Sequence, residues 1–139
     1  VDRGIISLAK KPAVSLLEIL LVVAIIGIVV AFAIPGYQRA IEKSRGRHAE
    51  FNLMSIYNAQ KRYKLDNNQY YSCDPVCTND LILQTLDVDI ADSYFTYNVV
   101  IVGSGFTANA KRVGGEFCNG DTMTVNQDSS QPIKGCIVW

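Results

Sequence analysis

Histidine is almost absent from this sequence: His48 is the single copy among 139 residues, flanked by charged neighbours in Arg47 and Glu50. It reads as solvated, and no serine or cysteine stands at a triad spacing from it. Charge of one sign is also missing, with 13 Lys+Arg against 13 Asp+Glu. That balance excludes a nucleic-acid-binding arm or a polybasic tether, and Lys111-Arg112 is too small a basic pair to reverse it. The four cysteines lack paired C-x2-C knuckles, which argues against a tetrahedral zinc site. Gly103-Ser104-Gly105 and Gly114-Gly115 have no helix behind them, so they read as hairpin turns rather than phosphate loops. Asp87, Asp89 and Asp92 have calcium-type donor atoms but read as a solvated acidic loop. There is no internal repeat and no Asn-x-Ser/Thr sequon. These absences leave no catalytic residue, metal or cofactor to assign, and the expectation is a protein that is not an enzyme.

Apolar length is abundant. The hydrophobic fraction is 49% and the mean hydropathy +0.14, which excludes wholesale disorder. That average hides a split, because Ile19–Ile34, 16 residues, has no charged, amide or hydroxyl side chain. Extended back to Val14 the run has 21 residues, interrupted by Ser15 and Glu18. As a helix it reaches about 30 Å, the thickness of a bilayer's hydrocarbon core. A soluble core helix would carry polar residues on a 3.6-residue period, and this run carries none. The competing reading is an ordinary secretory signal, with Arg3, Lys10 and Lys11 in front and Ala31-Phe32-Ala33 as the cleavage site. It would release a disulfide-stapled binding domain after Ala33. The length of the run and the acidic Glu18 near its start stand against it.

Glu18 is the informative residue. A carboxylate in a membrane helix costs on the order of 3 kcal/mol on insertion scales, so its presence calls for a function and a partner. Lys10-Lys11-Pro12-Ala13-Val14-Ser15-Leu16-Leu17-Glu18, followed by the apolar run, resembles the class III signal of type IV pilins and the related pseudopilins. Gly27 and Pro35-Gly36-Tyr37 fall where that family's helix carries its glycine and proline. Ala13 stands in place of the family's usual Gly, Val14 in place of Phe and Ser15 in place of Thr. The resemblance implies cleavage between Ala13 and Val14 by a prepilin peptidase, methylation of Val14, and use of Glu18 in assembly, where it accepts the α-amine of a neighbouring subunit. It also implies local unwinding between Gly27 and Pro35, where a glycine lowers helix propensity and a proline lacks an N–H.

After the run, Arg39 to about Lys64 reads as an amphipathic helix, with Ile41, Ala49, Leu53, Ile56, Tyr57 and Tyr63 near helical spacing. A continuous helix from about Ser15 to Lys64 is expected, with Gly36 and Gly46 as soft points and a stop at Asp66-Asn67-Asn68-Gln69. Tyr70–Asp89 reads as an irregular loop. Tyr94–Val102 is aromatic and β-branched and reads as a strand. Phe106–Val113 pairs back as a hairpin across Gly103–Gly105, Thr122–Asn126 is a third strand, and Ile137–Trp139 a short last one. The fold class is α+β, a long N-terminal helix packed against a small antiparallel sheet. The expected domains are a leader, 1–13, a membrane or filament-core helix, 14–36, and a globular head, 37–139.

By order, Cys73 pairs with Cys77 and Cys118 with Cys136, although other connectivities remain open. The stretch from Cys118 to Cys136 is similar to the disulfide-bounded C-terminal region of many pilins. Disulfides need an oxidising compartment, so the part after the span faces outward. The flanking charges do not support that orientation: Arg39, Lys43, Arg45 and Arg47 follow the span and only three basic residues precede it. The expectation is a type IV pilus subunit that sits in lipid at the bacterial inner membrane before assembly and in an extracellular filament afterwards. Its partners are copies of itself, the prepilin peptidase and the assembly machinery, with no direct nucleic-acid partner. The alternative within the family is a periplasmic pseudopilin of a type II secretion system.

Overall fold

A computed structural model describes residues 15–139, which divide into two compact units, 15–37 and 38–139. The expected cleavage and methylation positions, Ala13 and Val14, lie outside the described residues. Helix α1 runs unbroken over Leu16–Asn67, through Pro35. It ends where Asn68 takes the left-handed conformation, φ 58°, with its N–H on the Lys64 carbonyl; asparagine is one of the few residues to adopt that cap readily.

In the second unit α1 buries a stripe at Glu42, Gly46, Ala49, Leu53, Ile56 and Gln60. The alternating steps of four and three residues keep these positions on one face. Against that face lies a five-stranded antiparallel sheet in strictly sequential order: β1 Cys73–Cys77, β2 Phe95–Val102, β3 Gly105–Arg112, β4 Thr122–Asn126 and β5 Ser129–Lys134. A two-residue turn joins β2 to β3, with Val102 opposite Gly105 and Gly103 at φ 59°. Strand alternation sends Phe95, Tyr97 and Val99 of β2, Phe106, Ala108, Ala110 and Arg112 of β3, and Met123 and Val125 of β4 into the core. Ala49 on the helix and Ala108 and Ala110 on the sheet are all fully buried in the core between them.

Three expectations change. The stretch expected as an irregular loop contains β1 and a helix, α2 Asn79–Leu86, which buries Ile82 and Leu86. Thr78 caps it, its carbonyl accepting from Ile82 N–H at 3.1 Å. The last strand is Ser129–Lys134, not Ile137–Trp139; Pro132 lies within it, which an edge strand tolerates because its outer N–H groups need no partner. Gly46 is not a soft point. It is buried, and a Cβ there would come within 2.5 Å of the Trp139 indole, so glycine is needed for that ring to lie on the helix.

Candidate functional site: an exposed apolar helix and the polar network that holds its continuation

The first unit presents apolar side chains outward all round. Leu20, Ile25, Ile28 and Val29 are each more than half exposed, and Phe32 is 81% exposed. The most apolar 18-residue window of α1 has no buried residue. Such a surface is unstable in water, so it demands lipid or other helices around it. Glu18 lies in the first turn, where a carboxylate suits the helix dipole. Its backbone N–H closes that turn on the Ser15 carbonyl at 3.0 Å, and among the described residues no side chain pairs with its carboxylate. A Cβ at Gly27 or Gly36 would meet nothing within 4 Å, so nothing within this chain requires glycine at either position.

The second unit grips its part of α1 by buried polar groups. Arg112 donates from Nε to Glu42 Oε1 at 2.7 Å and from Nη2 to Oε2 at 2.9 Å, with both side chains almost fully buried. Its remaining Nη1 donates to the Tyr94 and Val113 carbonyls at 3.1 and 2.6 Å. The Trp139 indole N–H adds a bond to Glu42 Oε1 at 3.3 Å, and its ring lies against Phe95, centroids 5.4 Å apart. Burial alone would raise the Glu42 pKa. The bonds from Arg112 and Trp139, the Arg112 charge and a bond from Arg45 outweigh it and hold the carboxyl below its ordinary value. The same pairing raises Arg112, against the effect of burial. Each nitrogen of the Arg112 guanidinium and each Glu42 oxygen makes at least one hydrogen bond, the condition under which a buried ion pair is tolerated.

A second network stands about three turns further along α1. Asn52 donates to the Tyr97 hydroxyl at 3.0 Å, and that hydroxyl donates to Asp92 Oδ2 at 2.6 Å. Asp92 Oδ1 accepts the N–H groups of Tyr94 and Phe95 at 2.8 and 3.2 Å. Burial, followed by the bond to Asp92, raises the Tyr97 pKa, with Asn52 acting in the opposite sense. The Asp92 side chain is 2% exposed, so this member of the acidic loop is not solvated: it organises the entry to β2. His48 is 58% exposed, its Nδ1 3.6 Å from Asp92. Asp87 is open to solvent, 3.9 Å from Arg62.

Cys73 is bonded to Cys77 and Cys118 to Cys136. Among the described residues the one grouping of metal-donor side chains is Cys118, Asp121 and Cys136, and its two sulfurs are joined to each other. Neither Arg112 nor Asp92 stood out in the sequence as a buried group. Strand alternation could have found the first, since Phe106, Ala108, Ala110 and Arg112 share one face and a buried guanidinium requires an acid. For Asp92 no comparable signal exists.

Residues 35–124 match the family model described as "Type IV minor pilin ComP, DNA uptake sequence receptor". Among curated proteins, the chain is 39% identical over 56 residues to the type IV major pilin protein PilA of Myxococcus xanthus, covering 40% of this chain and 26% of that protein. It is 35% identical over 65 residues to the type II secretion system core protein G of Vibrio cholerae, 47% of this chain and 44% of that one. The Escherichia coli protein of the same name is 34% identical over 61 residues, 44% and 42%. The matched stretches thus span less than half of these relatives. No solved structure matches the chain.

Proposed function

Because the chain belongs to the type IV minor pilin ComP family, we propose that it is a type IV pilus subunit, anchored by its apolar helix and then assembled through it. The observation that carries this reading is the single helix α1, wholly exposed and apolar at one end and locked by Glu42 and Arg112 to a folded head at the other. In this reading a prepilin peptidase cuts between Ala13 and Val14, and Val14 is methylated. Glu18 accepts the α-amine of a neighbouring copy inside the helix bundle, where a charged pair sets the register between subunits and the loss of either member is costly. Gly27 and Pro35 give the span its bend or local melting, and the assembly machinery acts from the inner membrane. The two disulfides support a head that folds in an oxidising compartment outside the cytoplasm. Mass spectrometry of the mature subunit tests this: methylated Val14 as first residue is the expected result, and an unmodified Ile34 terminus would refute it in favour of a secreted domain.

The similarity to core protein G favours a second reading, a pseudopilin whose filament stays periplasmic. Electron microscopy of sheared surface material separates the two, since a pseudopilus contributes no surface filaments. The family description also names a DNA uptake sequence receptor. Receptor activity for this subunit would appear as salt-dependent duplex binding by the full chain in detergent. The even charge balance makes any such binding depend on local cations rather than on net charge.

A further inference from the structure

We propose that Arg39, Lys43 and Arg47, together with the apolar groove beside them, dock anionic phospholipid head groups at the outer end of the membrane span. This rests on the anchoring reading above and adds the class of lipid. The three cations recur every four residues of α1, so each step turns about 40° and they share one face. All three are exposed. Among the described residues none of them forms an ion pair, whereas the nearby Arg45 is held by Glu42 at 3.4 Å and lies 4.1 Å over the Tyr94 ring.

Beside them opens a groove of about 590 Å³ lined by Arg39, Ala40, Lys43, Phe117, Ile137 and Val138. Ile137 is 100% exposed. An aliphatic side chain left wholly in water next to unpaired cations makes an amphipathic surface. The cations suit phosphate while the apolar groups enter the boundary between head groups and acyl chains.

Position along the chain decides which anion is meant. Arg39 follows Ile34, the last residue of the uncharged run, by about 7.5 Å of helix rise. That is the depth of a head-group layer on one side of the hydrocarbon core. Lys43 follows one turn later, and its long side chain reaches back toward such a layer; Arg47, two turns later, adds its charge to the same face at about a Debye length from it. The lipid site also accounts for a conflict in the sequence. Four cations follow the span on the side that the disulfides place outside, where the positive-inside rule gives them no purpose. Anionic lipid in that leaflet supplies one.

The test uses the full chain reconstituted in phosphatidylcholine bilayers containing spin-labelled phosphatidylglycerol or spin-labelled phosphatidylcholine. The motionally restricted fraction of each label is then read by electron paramagnetic resonance. One basic residue near an anionic surface is worth about fivefold in binding, so a preference for phosphatidylglycerol of at least about threefold is expected. It should fall to about one in the triple variant Arg39→Gln, Lys43→Gln, Arg47→Gln, and part-way in Ile137→Asp, with near-UV dichroism from Trp139 unchanged in both. Equal restriction of the two lipids by the unaltered chain overturns the proposal, as does a preference that survives the triple variant. Duplex DNA binding that the triple variant loses, in a chain without lipid preference, would assign the cations to nucleic acid and also overturn it. Carbonate extraction separates this from the anchoring reading. A chain that washes off the bilayer refutes the anchor, whereas a retained chain without lipid preference refutes only the lipid site.

Discussion

Arg112, at the end of the third strand, forms a two-pronged bond with Glu42, seventy residues earlier on the long helix, at 2.7 and 2.9 Å. It joins the sheet to the stretch of helix nearest the membrane span, in the same unit as the core. Removing either partner leaves a buried charge without a counterpart, which costs about 3–5 kcal/mol. Arg112→Met and Glu42→Gln should each lower the unfolding free energy of the full chain in detergent by amounts of that order. The double variant Glu42→Gln, Arg112→Met should cost clearly less than the two singles added together. Urea titrations followed by Trp139 near-UV dichroism measure all three, and additive losses would show that the pair is not coupled.

The same carboxylate sets an acid limit. Its folded pKa lies below the unfolded value of 4.5, so its stabilisation is complete above that value and is lost as pH falls through the folded pKa. The melting temperature should hold steady from neutral pH down to about 4.5 and decline below it. Glu42→Gln should start lower and decline less steeply over the acid range. A variant with an unchanged acid slope would assign the decline to other carboxylates.

Two glycines of the one helix should behave oppositely. Gly46→Ala places a methyl within 2.5 Å of the Trp139 ring, and overpacking of this kind costs about 1–3 kcal/mol. The indole should swing outward and its fluorescence shift to the red. Gly27→Ala meets nothing within 4 Å and gains up to about 1 kcal/mol of helix propensity. The stability of the head should be indifferent to it, so any loss of filaments would report on packing between copies or on helix melting.

Glu18→Ala should leave the unfolding curve of the head untouched, since Glu18 lies in the other unit. Its expected effect is on assembly, where the loss of one partner of a pair in a low-dielectric bundle costs about 3 kcal/mol or more per contact. Filament yield close to zero with normal subunit levels is the expected result. Normal yield would remove Glu18 from the assembly contact.

The sequence made some elements plain and concealed others, for physical reasons. The apolar run, its continuation as an amphipathic helix, and the strands at 95–102 and 122–126 each carry a periodic pattern, and a pattern of burial is what periodicity records. The strand Ser129–Lys134 carries none, because its half-buried positions are Ser130 and Pro132 while its one large apolar residue, Ile133, faces outward, and Pro132 argues against a strand on sight. Cys73–Cys77 is similarly short, edge-placed and bulged against its neighbour. The polar network was the least visible part. Arg112 stands next to the exposed Lys111 and reads with it as a solvated pair until strand alternation is applied. Asp92 shares its composition with Asp87 and Asp89 but not their surroundings. The conformation of Gly46 is an ordinary helical one, so its need for glycine lies wholly in Trp139, 93 positions away.

The order of the sheet has a consequence for how such a subunit is made. Each strand pairs only with the one before it and the one after it, so every ladder closes over a short stretch of chain and at a small entropic cost. On the pilus reading proposed above, a head that crosses a membrane before its cysteines oxidise therefore has no need to wait for its far end. Strands can zip in the order in which they emerge, against a helix delivered first. Trp139, downstream of every strand, covers Gly46 and bonds Glu42 over a structure already assembled beneath it.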